Sequence, residues 1–199
     1  KAARFDERMS LVNILVDNVS EDIRQNNHRQ KVLKQVTGDL SDIRKQSVAG
    51  RSCRPVLSAQ ITRNREWYLT EQEKGLLTTA QKNLYYDQLE FLVSYEKQLV
   101  SNDSSDFTVL ETLFCKDTAL FKQDVLRIQD KLQHLFRFLE ETYGNENEIL
   151  IAVSSLTGNK DCVTFINQFG CDAYFAHNKD LLYFERQQDL EQKIETIGL

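Results

Sequence analysis

Two cysteines, an aspartate and a histidine lie close together near the C-terminal end of the chain. Their side chains are the best candidates in the sequence for metal binding or nucleophilic catalysis. They are Cys162, Cys171, Asp172 and His177. All three residue types bind zinc, and a cysteine beside a histidine can act as a nucleophile. However, structural zinc sites usually pair cysteines two to four residues apart, which is closer than these two. Cys162 also shares a helical face with Phe165, which favours packing over a metal or catalytic site.

Other arrangements that would indicate an enzyme are missing from the sequence. Di-iron helical bundles use Glu-x-x-His pairs, and no such pair occurs in the chain. Glycine-rich phosphate-binding loops and the His-Glu-x-x-His zinc motif are also missing. We therefore predict no cofactor and assign no catalytic or metal-binding residue. An enzyme or metal site built on the cysteines and His177 is the third of three functional hypotheses.

A run of basic residues is the clearest candidate for binding. No acidic residue occurs between Ile43 and Arg65, although the whole chain has a net charge of −5. A local positive patch beside Trp67 and Tyr68 suits phosphate-rich partners or an acidic protein surface. A solvated linker without acidic residues is the simpler interpretation. The predicted basic patch consists of Arg44, Lys45, Arg51, Arg54, Arg63 and Arg65.

The N-terminal part of the chain carries an apolar repeat that is typical of coiled coils and long bundle helices. Its spacing of 4-3-4-3-4 is formed by Phe5, Met9, Val12, Val16, Val19 and Ile23. These residues predict one long helix, or two nearly continuous helices, over residues 3–46. We interpret this seam as a surface for a partner protein or for self-association.

The stretch 24–31 interrupts the seam, because it contains no apolar residue. If the helix continues through it, Asn26 occupies a core position, where a buried asparagine can fix register. We favour the alternative that this stretch is solvated. An unbroken helix of this length exceeds the width of a compact domain, so we expect it to break within 24–38 or to project.

The remaining sequence predicts further helices of decreasing length. Gly50 and Pro55 mark a connector. Thr70 and Glu73 form a capping-box pattern, which predicts that a helix begins there and continues to about Val100, after a short helix. Apolar residues from Leu110 to Leu139 predict a long helix ending at Tyr143-Gly144. Shorter helices are predicted at 147–156, 160–169 and 178–197.

The fold class follows from these patterns. We predict an all-α bundle of long antiparallel amphipathic helices with a C-terminal cluster of shorter helices. The apolar fraction of 41% is sufficient for a core. The predicted segments are a helix or helix pair over 1–46, a basic connector over 47–58, a bundle core over 59–144, and a short-helix cluster over 145–199 that belongs to the same domain as the bundle core.

The first functional hypothesis is a non-enzymatic helical interaction or scaffold domain, part of a larger protein, which binds through the N-terminal helix. The second is a nucleic-acid-associated protein that uses the basic residues of 44–65, although the net negative charge disfavours it. No apolar run is long enough to cross a membrane. Four scattered cysteines and the lack of a signal-peptide pattern favour a cytoplasmic protein.

Overall fold

The computed structural model describes residues 2–100, 105–143 and 146–177, with side chains except at 2–5, 146–147 and 177. These ranges contain seven helices and no strand. The helices are α1 (Ala2–Gln46), α2 (Arg54–Glu73), α3 (Thr79–Val100), α4 (Phe107–Tyr143), α5 (Glu146–Thr157), α6 (Lys160–Phe169) and α7 (Asp172–His177). The predicted all-α class is confirmed. The predicted helix at 178–197 lies outside the described residues.

The chain divides into two compact units. Unit 1 contains residues 1–27 and 123–199, and unit 2 contains residues 28–122. The boundaries fall within α1 and α4, so unit 1 is built from two separate stretches of sequence. The segments predicted from the sequence are each continuous, and they stay a prediction.

Unit 2 is a helical bundle built around the hairpin of α2 and α3. Ser58 on α2 donates a hydrogen bond to Glu96 on α3, while Trp67 contacts Tyr85. The partner numbers fall as the α2 numbers rise, so the two helices are antiparallel. Buried side chains of α1, α2, α3 and α4, together with Cys53 just before α2, form one core. Its members are Val32, Val36, Leu40, Ile43, Cys53, Leu57, Ile61, Leu92, Tyr95, Leu99 and Leu110.

Unit 1 packs the N-terminal part of α1 against α4 and the short helices. Asn26 donates to Asp124, whereas Asn18 accepts from Lys131, so α1 and α4 are antiparallel. The α1 side chains that face this core are Val12, Val16, Val19 and Ile23. Apolar residues of α4, α5 and α6 are also buried, and hydrogen bonds of Ser20 and Asn27 with α6 show that this part of α1 packs within the unit.

Helix α1 does not break at the polar stretch 24–31. Asn26 is 1% exposed and its Nδ2 donates to Asp124 Oδ2 at 3.1 Å. Asn27 is also buried and donates to the backbone oxygen of Asp161 at 2.9 Å. The interpretation of this stretch as solvated is therefore wrong for both asparagines. Each Nδ2 has a partner on α4 or α6, which offsets part of the cost of burying these amides, whereas neither Oδ1 accepts a hydrogen bond in the described structure.

The α2–α3 boundary also differs from the sequence prediction. Helix α2 continues through Thr70, whose hydroxyl donates to the backbone oxygen of Glu66. The capping box that begins α3 is formed instead by Thr78 and Gln81, since the backbone N–H of each donates to the side chain of the other. Gly75 adopts a φ of 70°, which suits glycine and ends the preceding helix.

A candidate protein-interaction surface on the α2–α3 hairpin

Three aromatic rings pack together near the turn of the α2–α3 hairpin. The Trp67 and Tyr85 ring centroids are 4.8 Å apart and the rings meet edge to face at 79°. The Tyr68 ring lies 6.4 Å from Tyr85 at 58°. Tyr85 is partly buried and contacts both other rings, so it restricts the orientation of the Trp67 indole.

The outer side of this cluster is exposed. Trp67 is 47% exposed, Tyr86 on the next helix is 57% exposed, and Leu76 in the turn is 75% exposed. We call Trp67, Leu76, Tyr85 and Tyr86 the hairpin surface. Exposed aromatic and aliphatic side chains on one element are typical of protein-binding sites, where tryptophan and tyrosine contribute most of the binding energy.

A buried polar cluster lies next to the hairpin surface along α2 and α3. The carboxylate of Asp39 on α1 is buried and accepts hydrogen bonds from three amide groups. Gln60 Nε2 and Asn64 Nδ2 of α2 donate to Oδ1 at 2.9 and 3.0 Å, and Gln88 Nε2 of α3 donates to Oδ2 at 2.6 Å. Asn64 lies one helical turn before Trp67. One carboxylate therefore links α2 and α3 to α1, about one helical turn along each helix from Trp67 and Tyr85.

Sequence reasoning missed this cluster for a physical reason. Asp39, Gln60 and Gln88 are single polar residues on three different helices, and each resembles an ordinary solvated position. A detectable signal did exist, because Asp39 lies three residues after Val36 and four before Ile43 and thus within the apolar face of α1. A polar residue at such a position needs a polar partner on a neighbouring helix.

The residues of the predicted basic patch have different surroundings in the structure. Arg44 lies 3.6 Å from Glu111 and its guanidinium is 6.0 Å from the Phe107 ring centroid. Arg63 donates to Gln60 Oε1 at 2.5 Å and so joins the polar cluster. Lys45, Arg51, Arg54 and Arg65 are exposed. Because Arg63 and Arg65 are two residues apart on α2, they lie on opposite sides of that helix, and only Arg63 shares the face of Trp67.

The residues of the predicted N-terminal seam lie mainly in the interior of unit 1. Val12, Val16, Val19 and Ile23 are at most 5% exposed, and Met9 is partly buried. The side chain of Phe5 lies outside the described residues. Burial favours an internal packing role for this seam, and its use by a partner stays a prediction.

The cysteine cluster is arranged for packing. Cys162 is buried, and its Sγ donates to Ser20 Oγ at 3.3 Å. Burial raises the pKa of the Cys162 and Cys171 thiols, although backbone N–H groups of α7 that point at Cys171 oppose the shift there. A raised pKa keeps a thiol protonated and poorly nucleophilic. Over the described part of the chain, no three His, Cys, Asp or Glu side chains could hold a metal. The side chain of His177 lies outside that part.

A second charged cluster joins α1 to α4 within unit 1. Asp22 accepts from Arg127 Nη1 at 3.2 Å and from Lys131. Burial acts to raise the pKa of Asp22, but the two hydrogen bonds outweigh it and hold the pKa below its usual value. The cluster consists of ion pairs between packed helices, which makes it a structural feature.

No protein-family model, curated protein or solved structure matches the chain. Among the described helices, none is by itself long and apolar enough to span a membrane, although the bent pair Glu148–Thr157 and Lys160–Phe169 passes that test jointly by length and composition.

Proposed function

We propose that the protein is a non-enzymatic helical interaction module, and that the hairpin surface binds another protein. The observation that carries this proposal is the indole of Trp67, which is about half exposed yet held edge-on by Tyr85. An aromatic side chain that is already ordered loses little conformational entropy when a partner covers it. The hairpin surface therefore has the composition and the rigidity of an interface centre.

The rest of the site agrees with binding by a protein. Arg63 and Glu71 lie one turn before and after Trp67, so the apolar centre has a polar rim of both charges. All four cysteines are unpaired thiols, as expected in a reducing compartment. We therefore propose that this module acts in the cytoplasm.

Site-specific photocrosslinking tests the proposal. A photoreactive phenylalanine analogue is placed at Tyr86, and in a matched variant at Leu69, which is 50% exposed on the opposite side of α2 from Trp67. We expect a defined crosslinked protein product from position 86 in native extract and none from position 69. The product should disappear when Trp67 is changed to Ala in the same chain.

Equal products from both positions, or a product at 86 that survives Trp67→Ala, would contradict the proposal. The chain contains one tryptophan, so its fluorescence gives an independent readout. Once the crosslinked partner is purified, binding should shift the Trp67 emission to shorter wavelength as the indole loses water. Unchanged emission at saturation would show that the partner binds elsewhere.

A further inference from the structure

The side of α1 that faces away from the unit 1 core carries exposed apolar side chains between acidic ones. Ile14 is 63% exposed and Leu11 is 37% exposed, and they are three residues apart. Glu7 and Glu21 lie seven residues before and after Ile14 and thus within about 20° of it on the helix. Leu11 and Asp17 lie about 60° to either side. We call Glu7, Leu11, Ile14, Asp17 and Glu21 the acidic face.

The charge on this part of α1 is strongly one-sided. Residues 9–23 contain no lysine or arginine. Glu21 is ion-paired with Arg24 at 2.5 Å, and hydrogen bonds from Arg24 and Gln25 lower its pKa to about 2, so its negative charge is already balanced within α1. Asp22 is already occupied by Arg127 and Lys131, and it lies at the margin of the face. The acidic face therefore offers the aliphatic side chains of Leu11 and Ile14 together with the carboxylates of Glu7 and Asp17.

We propose that the acidic face binds a basic amphipathic helix of another protein. Aliphatic side chains of that helix would pack on Leu11 and Ile14, and lysine or arginine residues flanking them would pair with Glu7 and Asp17. Helix-on-helix docking of this kind reads anchors at spacings of three and four residues, which is the spacing of Leu11 and Ile14 with Glu7 and Asp17. Charge complementarity selects the partner and speeds its association.

Other occupants fit the acidic face poorly. A second copy of the chain that docks symmetrically would place the same patch against itself and bring carboxylates together. Anionic lipid surfaces and nucleic acids carry the same sign of charge as the face. A basic protein segment is the partner that supplies both an apolar stripe and positive charge.

A peptide titration with the full chain tests this inference. The probe is a fluorescein-labelled 14-residue peptide of Leu and Lys with the leucines spaced three and four apart, and the control probe replaces every Lys with Glu. We expect salt-sensitive binding of the Lys peptide by fluorescence anisotropy and none of the Glu peptide. Ile14→Ser and Asp17→Lys should each weaken binding about tenfold, because one removes the central apolar contact and the other reverses a flanking charge.

Matched substitutions on unit 2 separate this site from general charge effects. Leu69→Ser and Glu66→Lys change an exposed aliphatic and an exposed acidic side chain on α2, and they should alter binding less than about twofold. Circular dichroism confirms that every variant is folded. Equal weakening by Glu66→Lys and Asp17→Lys, no effect of Ile14→Ser, or a wild-type dimer that Ile14→Ser dissociates would each overturn the inference. Because the acidic face and the hairpin surface share no residue, Trp67→Ala should leave peptide binding intact.

Discussion

Replacing Asp39 by alanine removes the one acceptor that three amide side chains share in unit 2. Gln60, Asn64 and Gln88 each donate a hydrogen bond to its carboxylate, and Asp39 is 6% exposed. In the D39A variant, these amides lose their partner in a place with little access to water. We therefore expect a large loss in the free energy of unfolding.

The structure sets the size of this loss. A buried polar group left without a partner costs about 1–3 kcal/mol, so three such groups give a range of about 3–9 kcal/mol. Two effects act against this cost. Removing the carboxylate also removes the desolvation cost of a buried charge. Gln60 Nε2 can still donate to Asn64 Oδ1, which lies 3.3 Å away. We expect a loss of about 3 kcal/mol, at the lower end of that range.

The D39N variant distinguishes hydrogen bonding from charge. The asparagine Oδ1 can accept from Gln60 and Asn64, while its Nδ2 faces the amide of Gln88. That amide can rotate by half a turn and present its oxygen instead. Because all three contacts can be kept without a buried charge, we expect D39N to cost only about 1 kcal/mol.

Urea unfolding at neutral pH, followed by far-ultraviolet circular dichroism, measures both variants. With a slope of about 2 kcal/mol per molar urea, D39A should lower the midpoint by about 1.5 M and D39N by about 0.5 M. D42A is the control, since Asp42 is an exposed aspartate on the same helix and should change stability by less than about 0.5 kcal/mol. A loss in D39A no larger than in D42A would refute the view that this carboxylate organises the three helices.

Three further predictions concern Tyr95, the cysteine thiols and Asn26. Burial and then the hydrogen bond to Asp117 raise the pKa of Tyr95 above its usual range. Its stabilising effect is therefore present below the unfolded pKa of about 10 and is lost as pH rises further. Y95F should cost about 1.5 kcal/mol in urea unfolding at pH 7 and should weaken this alkaline loss of stability; an unchanged midpoint would contradict this. Under native conditions one thiol, Cys115, should react rapidly with Ellman's reagent, and all four after unfolding; rapid reaction of a second thiol would argue against the buried packing of the others. N26L should change stability by less than about 1 kcal/mol or increase it, because Asn26 Oδ1 has no hydrogen-bond partner in the described structure; a loss above about 2 kcal/mol would show that its bond to Asp124 is essential.

The sequence predicted most of the helices but not their partners, and it missed α7 and the full length of α2, which begins at Arg54 within the predicted connector. Helix α4 and its end at Tyr143 follow from apolar spacing and from the glycine after it, because both are local properties. The start of α3 was predicted wrongly at Thr70, since two capping-box patterns occur eight residues apart. Only the position of the turn decides that Thr78 is the one used.

The candidate sites depend on tertiary contacts and were less accessible to sequence reasoning. The apolar seam of α1 is visible in the sequence, but whether a seam faces the core or a partner depends on which helices fold against it. The sequence indicated a binding site near Trp67, because basic residues precede it. Among those residues, only Arg63 lies on the same face of α2 as Trp67. The role of Asp39 can be recognised only when it is known that Gln60 and Asn64 of α2 and Gln88 of α3 pack against this part of α1.

The arrangement of unit 1 has a consequence during protein synthesis. Its two stretches of sequence are separated by the whole of unit 2, residues 28–122. At about 5–20 residues per second, the ribosome needs roughly 5–20 s to pass from one stretch to the other. During that interval the residues of 123–199 that later pack against the N-terminal helix have not been made. Its aliphatic side chains, such as Val12 and Val16, are therefore not yet covered. The nascent chain is therefore most accessible to chaperones, and most prone to aggregation, before residue 123 is made. Synonymous codons that slow translation of residues 28–122 would lengthen this exposure.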